Sequence, residues 1–288
     1  MMKRPSLRTA LAAVAIASLV AAGCGGDDDA AGDGAATETD AAGTGSGTDA
    51  AGTGDAGGGP DEAAYCTASL AIDTAPAPEI DYPTATPEDI ATGMQAWAED
   101  TMKPLVADAV AVSPAEIQGD VEIMTAAVDQ MAAGDPTAFD VPDVAAASDR
   151  LHQYDLDTCG WTSHDVQATE YSFANVPDEL PTGPTSFELT NDGNEVHELI
   201  LMRKNPGVTD SAEELLALPQ EEAMAKVTML GSPAFALPGA ADHKVVDLEP
   251  GDYVAACFIP MGMTSDDGPP PEGPPHFTQG MVAEFTVS

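Results

Sequence analysis

LEPGDYVAACFIP, residues 248–260, shows the pattern on which the fold prediction depends. An apolar run ends at Leu248, turn-forming residues follow at 249–252, and a second run with Tyr, Val and Phe comes next. Such runs between Gly, Pro and Asn turns are typical of β-strands. The pattern recurs to the end of the chain, so we predict an all-β sandwich over 162–288. The predicted strands are 166–173, 185–191, 196–203, 243–248, 252–258 and 281–287, with a helical insertion at 211–226.

Residues 61–161, before this β region, have a helical period instead. Ser113 and Glu116 have the spacing of a capping box, with Pro114 at the first helical position. We therefore predict a helix that begins there and ends at Gly134. Its expected core stripe is Ile117, Val121, Met124, Val128 and Met131.

Other helices are predicted on both sides of this one. Thr86-Pro87-Glu88 predicts a helix start, and Pro104 is expected to bend that helix. Together with a first helix near 65–72 and a shorter one through Val144, Leu151 and Tyr154, the pattern predicts a small antiparallel bundle. The expected core side of the second helix carries Ile90, Met94, Trp97, Thr101 and Leu105.

The N-terminal residues indicate export. Basic residues precede an apolar run at 10–22, which is too short to span a bilayer comfortably, so 1–23 is predicted to be a signal peptide. The small residues before Cys24 resemble the lipobox of bacterial lipoproteins, which implies lipidation of Cys24 and an anchor on the bacterial cell membrane. Ordinary cleavage and release is the alternative. Residues 24–60 are almost all Gly, Ala, Thr and Asp, and are predicted to form a disordered acidic tether.

The charge of the chain excludes one class of partner. The sequence has 49 Asp and Glu against nine Lys and Arg, a formal net charge of −40. Nucleic acid is therefore not an expected partner, whereas basic-surfaced proteins and cations are attracted at low salt.

Four cysteines leave one without an obvious partner. Cys66 and Cys159 are at the two ends of the predicted bundle, and we expect them to form a disulfide; two free thiols are the alternative. With Cys24 lipidated, Cys257 remains. A lone thiol in an oxidising compartment is vulnerable unless it is buried or bound to a metal.

The residues around Cys257 suit copper. His276 and Met281 are separated by four residues, and His197 begins a predicted strand that the fold could bring alongside. One thiolate, two imidazoles and a distant thioether are the ligands of a blue copper site. The other histidines, His152, His164 and His243, are interpreted as surface residues.

Four segments resemble successive strands of the cupredoxins, the plastocyanin-like blue copper family, over about 166–288. They are VQATEYSF, NDGNEVHELILM, LEPGDYVAACFIP and PHFTQGMVAEFTV. The resemblance implies a Greek-key sandwich with one copper ion, in which His197, Cys257 and His276 are the equatorial ligands and Met281 is the weak axial ligand.

The chain departs from that family between Cys257 and His276, where eighteen residues replace the usual few. The prolines of this insertion are expected to stiffen it. Met261 and Met263 within it are either additional thioether ligands for Cu(I) or hydrophobic packing.

These features predict a membrane-tethered, extracytoplasmic one-electron carrier that is not an enzyme and that exchanges electrons with a redox partner protein. An envelope protein that stores or delivers Cu(I) and a metal-free interaction module are the alternatives. Zinc is less suited, because Met281 is a poor fourth ligand. A Cys-His hydrolase is less suited because no oxyanion site is recognisable, and the absence of His-x-His pairs from the sequence argues against a multicopper oxidase.

Overall fold

The computed structural model describes residues 60–80, 85–266 and 270–288. The predicted signal peptide, Cys24 and the predicted tether up to residue 59 lie outside these residues. Within the described ranges, no helix has both the length and the apolar character that a membrane span requires.

The first part of the described chain is helical, as predicted. Cys66, in the first helix, and Cys159, directly after the last one, form a disulfide. The helices are α1 (Pro60–Asp73), α2 (Pro87–Trp97), α3 (Lys103–Val112), α4 (Gln118–Ala132) and α5 (Pro142–Thr158), and a π-helical turn, Ala98–Met102, joins α2 to α3.

The π-helical turn changes which residues of the second predicted helix are buried. Ile90, Met94 and Trp97 are buried as predicted. From the end of the turn onward, the buried residues are Met102 and Val106, where Thr101 and Leu105 were predicted. A π-helical turn contains one extra residue, so it moves the apolar side of the helix by one position. The turn ends at Met102, two residues before Pro104, whose ring and missing N–H are incompatible with an undisturbed α-helix.

The capping box predicted at Ser113 is wrong. The Ser113 hydroxyl donates to the carbonyl oxygen of Ala109 at 2.6 Å, so it still belongs to the end of α3. A turn follows, and α4 begins only at Gln118 without a side-chain cap. Thr86, by contrast, does cap α2, and Asp89 donates its backbone N–H to the Thr86 hydroxyl.

The last helix of the bundle is longer than predicted. Its seventeen residues, Pro142–Thr158, extend well beyond the short helix expected around Leu151. The several Asp residues of this helix interrupt its apolar pattern, so the pattern alone predicts too short a helix.

The second part of the chain is the predicted β-sandwich, made of two sheets. One sheet has the strand order β2-β1-β4-β8, and the other has β3-β10-β9-β5-β6, with β7 paired to β5. The strands are β1 (Thr162–Thr169), β2 (Ser172–Ala174), β3 (Glu179–Leu180), β4 (Gly183–Asn191), β5 (His197–Lys204), β6 (Val227–Met229), β7 (Ala234–Ala236), β8 (Ala241–Leu248), β9 (Gly251–Ala256) and β10 (Val282–Val287).

Local differences from the prediction affect the first strand and the insertion. The run predicted as one strand at 166–173 is a hairpin, because the chain turns at Glu170 and Tyr171 between β1 and β2. The insertion contains two short helices, α6 (Ala212–Leu216) and α7 (Gln220–Met224).

Apolar side chains from both sheets meet between them and form the main core. Phe187 and Leu189 of β4 face Leu199 and Leu201 of β5, and all four are almost fully buried. Burial of such side chains contributes about 1.5–3 kcal/mol each. This core fixes the ends of β5, β9 and β10, from which the candidate site is built.

The helical bundle packs against the sheet that contains β4 and β8. Helix α1 contacts β8, and His152 of α5 contacts Glu188 of β4. The outer face of this sheet is therefore covered by helices over part of its area.

Candidate metal centre

Three strands bring distant residues to one end of the sandwich. His197 is the first residue of β5, and Cys257 directly follows β9, its antiparallel neighbour. Met281 directly precedes β10, which pairs with the other side of β9. The Cys257 N–H donates to the Met281 carbonyl oxygen at 3.2 Å. Strand register thus places the imidazole, thiol and methionine positions side by side.

His276 completes the group although eighteen residues separate it from Cys257. The insertion closes at its base, where Pro260 and Pro275 form an antiparallel bridge. Met261 N–H donates to the Pro274 oxygen at 3.0 Å, and His276 N–H donates to the Ile259 oxygen at 2.9 Å. We call this paired base, 259–261 with 274–276, the neck. Because the neck returns the chain to its starting point, His276 lies beside Cys257 whatever path lies between.

Gly273 allows the two sides of the neck to approach. A Cβ atom at Gly273 would collide with the backbone oxygen of Met261. Glycine is the residue that tolerates such a close backbone contact.

The donor atoms of His197, Cys257 and His276 face one another. The Nδ1 atoms of His197 and His276 are 3.2 Å apart, and Cys257 Sγ is 3.4 Å from His276 Nδ1. All three side chains are 0% exposed, and their ligand atoms lie within 4.8 Å of one another. These separations match a single ion bound about 2.0 Å from nitrogen and about 2.3 Å from sulfur.

The methionines differ in their surroundings. Met281 is fully buried and Met263 nearly so, and both belong to the same core as Cys257. Met263 also accepts the Val196 N–H at 2.7 Å, which ties the insertion to the residue before His197. Met261 is half-buried within the neck. Met281 also lies next to Cys257 along the β9–β10 pair, since its carbonyl oxygen accepts the Cys257 N–H.

Burial keeps the donor set uncharged when no ion is bound. Burial, with the Glu198 carboxylate nearby, raises the pKa of the Cys257 thiol to about 12. Burial, with His276 beside it, lowers the pKa of His197 to about 4, and burial likewise lowers the pKa of His276. Neutral imidazoles have a free lone pair for a metal, and metal binding replaces the thiol proton.

Carboxylates lie behind both imidazoles, and the sequence analysis did not identify them. Glu195 Oε2 is 3.1 Å from His276 Nε2, and Glu170 Oε1 is 3.6 Å from His197 Nε2. A carboxylate at Nε2 favours the tautomer with hydrogen on Nε2, which leaves Nδ1 free for a metal. Both glutamates lie in turns beside strand ends, and the hairpin at Glu170 was hidden by the prediction of one continuous strand.

Each glutamate is itself held in place. Glu195 accepts the Tyr171 hydroxyl at 3.1 Å and the backbone N–H of Gly262 in the insertion. Glu170 accepts the backbone N–H of Glu195 at 2.8 Å. The Tyr171 ring lies 4.7 Å from the His276 ring. The site is therefore enclosed by the β1–β2 turn on one side and by the insertion on the other.

Backbone contacts also position the thiol. The Glu198 N–H points to Cys257 Sγ at 3.5 Å, and the Glu198 carboxylate accepts the Phe258 N–H at 3.0 Å. These contacts hold β5 and the end of β9 together at the sulfur. A soft thiolate, two imidazoles and a nearby thioether in a rigid, buried setting fit copper better than zinc, which prefers a stronger fourth ligand.

The interpretation of His152 and His243 as surface residues is wrong. His243 is buried, and its ring stacks on that of His152 with centroids 3.5 Å apart. Burial, with His152 nearby, lowers the pKa of His243 to about 3. His164 is half-buried. The pair is invisible in sequence because the bundle and the sandwich contribute one ring each.

No protein-family model matches the chain, and no curated protein matches it. Among solved structures, the chain is similar over 44% of its length to auracyanin A from Chloroflexus aurantiacus, described as a blue copper protein, with 14% identity, 98% of that chain covered and a TM-score of 0.28. An auracyanin from Roseiflexus castenholzii has 20% identity over 44% of this chain and 97% of that chain, with a TM-score of 0.26.

Rusticyanin from Thiobacillus ferrooxidans has 14% identity over 44% of this chain and 78% of that chain, with a TM-score of 0.27. Structural similarity at these TM-scores does not establish a function for this chain. The fold of the strand region is given by its own strand pairing, which forms a sandwich of a four-stranded and a six-stranded sheet.

Proposed function

We propose that this chain is an extracytoplasmic copper protein that carries one electron at a mononuclear site formed by His197, Cys257, His276 and Met281. The observation that carries the proposal is a buried cluster of three donor atoms, in which His276 Nδ1 lies 3.2 Å from His197 Nδ1 and 3.4 Å from Cys257 Sγ. Bound copper would supply the chemistry, a change between Cu(II) and Cu(I) by one electron.

The contribution of the protein is rigidity and enclosure. Cys257, His197 and Met281 are attached to paired strands, and the neck fixes His276. Ligands that are held this way move little when the charge of the ion changes, so little reorganisation opposes electron transfer. Burial of all four side chains also excludes water from the sulfur and limits its oxidation.

We infer a membrane-anchored location and a basic redox partner for the same protein. Lipid on Cys24 would anchor it, and the acidic residues 24–60 would hold the folded part away from the membrane. The support is the N-terminal sequence and the formal net charge of −40, which would speed the encounter with a basic partner at low salt.

Electrochemistry of the copper-loaded chain tests the proposal. We expect a visible charge-transfer band that saturates at one copper per chain, bleaches on reduction and returns on oxidation. Its potential should follow a one-electron Nernst slope of about 59 mV per decade. A colourless Cu(I) complex that resists oxidation would instead indicate copper storage or delivery. Absence of copper uptake would indicate an interaction module without metal.

The carboxylate behind His276 is predicted to tune the potential. Glu195→Gln keeps a hydrogen-bond acceptor but removes the negative charge that favours Cu(II). Loss of such an outer partner costs about 10–100-fold in metal affinity. If only the affinity for Cu(II) falls, each tenfold loss of that affinity raises the reduction potential by about 59 mV.

Glu272→Gln is the matched control, because Glu272 is an exposed carboxylate of the same insertion. It removes the same charge without touching the imidazole, and its potential should stay close to that of the wild type. A Glu195→Gln potential that is equal to the control would contradict a tuning role.

A further inference from the structure

A second group of metal-binding side chains lies between the bundle and the sandwich. It consists of His152 of α5, Glu188 of β4 and His243 of β8, whose ligand atoms lie within 4.8 Å of one another. Glu188 and His243 are direct partners in the pairing of β4 with β8. His152 Nε2 is 2.9 Å from Glu188 Oε1. The group thus joins a helix to two adjacent strands.

The side chains of this group are largely buried and held by other side chains. The His152 side chain is only 10% exposed, and its buried Nδ1 has no hydrogen-bond partner. The Ser186 hydroxyl donates to Glu188 Oε1 at 2.7 Å and so orients the carboxylate. Supporting bonds of this kind are typical of the shell around metal ligands.

A cavity of about 110 Å³ adjoins the two rings. His152, His243 and the carboxylates of Asp73 and Asp155 line it. The Ser69 hydroxyl donates to Asp155 at 2.6 Å. The lining of the cavity therefore includes both imidazole rings and two carboxyl groups.

Carboxyl groups outnumber Lys and Arg side chains at this boundary. Asp155 and Asp242 are buried, and Glu188 is partly buried. In the described part of the chain, Lys244 is the only buried Lys or Arg side chain. Burying uncompensated carboxylates is costly, and a bound cation offsets that cost.

We propose that His152, Glu188 and His243 form a second metal site, distinct from the cysteine site, which takes a divalent zinc ion and ties the bundle to the sandwich. Two imidazoles and one carboxylate are ligands that zinc accepts, with water in the fourth position. Ligand atoms bound in a tetrahedron at about 2.0–2.2 Å lie about 3.4 Å apart, which is compatible with ligand atoms that all lie within 4.8 Å of one another. The stacked rings open toward the cavity to aim their nitrogen lone pairs at the ion.

Zinc binding by the full-length Cys257→Ser chain tests this inference independently of the copper proposal. Equilibrium dialysis against micromolar Zn²⁺, followed by elemental analysis, should give one zinc per chain. Adding His152→Gln should remove that zinc, or lower its affinity at least about tenfold. The thermal midpoint should rise with zinc only when His152 is present, because the ion binds the folded state.

His164→Gln in the same Cys257→Ser background is the matched control, and it should retain one zinc. Glu188→Gln provides a second test if His152→Gln folds poorly, since it keeps the neutral hydrogen bonds and removes the charged ligand. In the Cys257→Ser chain, Co²⁺ should give d–d bands that depend on His152. Zinc retained after His152→Gln and Glu188→Gln, or no zinc in the Cys257→Ser chain, would overturn the inference.

Discussion

Replacing Cys257 by serine is expected to abolish the visible charge-transfer band of the copper-loaded chain completely. The band requires electron donation from a thiolate to Cu(II), and Cys257 is the free cysteine of the described residues. A serine hydroxyl keeps its proton at neutral pH and is a harder ligand, so it replaces neither the donation nor the affinity. The measurement is a Cu(II) titration followed by absorption spectroscopy, with bound copper determined on the same samples.

Met263→Leu is a suitable control for this substitution. Met263 is buried in the same core as Cys257, so the variant disturbs the same region without removing the thiolate. We expect it to retain the band. A band that persists in Cys257→Ser, or copper bound by the wild type without any band, would contradict the assignment of the sulfur as a ligand.

Loss of the disulfide is the second large effect. Cys66→Ala combined with Cys159→Ala removes a crosslink between residues 93 positions apart. The chain-entropy model gives a loss of about 4–5 kcal/mol for a loop of this length. That is a large part of the free energy of unfolding of an ordinary domain, which is about 5–15 kcal/mol. The bundle should unfold at a clearly lower denaturant concentration.

Tryptophan fluorescence reports this change selectively. Trp97 lies in the bundle core, and Trp161 lies between the last helix of the bundle, which ends at Thr158, and β1, which begins at Thr162. The copper band reports the sandwich in the same titration. Reduction of the wild-type disulfide should shift the fluorescence transition in the same direction as the double substitution. A shift of under about 1 kcal/mol in the free energy of unfolding would contradict the predicted contribution.

The strands and the order of the candidate ligands could be predicted because they depend on local sequence signals. The turn at 249–252 and the apolar runs on both sides of it define β8 and β9 without reference to the rest of the chain. The position of Cys257 at the end of β9 then follows from the strand boundary. His197, at the start of the neighbouring strand, is brought to the same end by antiparallel pairing.

Features that depend on competition between local signals were predicted less well. The Ser113 hydroxyl could accept a backbone N–H of the following helix or donate to a carbonyl oxygen of the preceding helix. It donates to the preceding helix. The π-helical turn before Pro104 moved the buried side of the helix by one residue. Neither outcome can be read from spacing alone, because both alternatives satisfy the same local pattern.

Side-chain contacts between segments distant in sequence were not predicted. His152 stacks on His243 across the boundary between helices and strands, and the Glu195 carboxylate contacts the His276 ring, 81 positions away. Polar residues in a strongly acidic sequence give no signal that distinguishes such contacts from solvent exposure.

The neck has a consequence for how this chain tolerates change. Since Pro260 and Pro275 are bridged and the adjoining backbone groups are hydrogen-bonded, the contour length of the segment they enclose is decoupled from the spacing of the donor atoms. The length of this segment can therefore change without moving the ligand residues. Insertions or deletions at its outer end can accumulate during evolution while the arrangement of the ligands is kept.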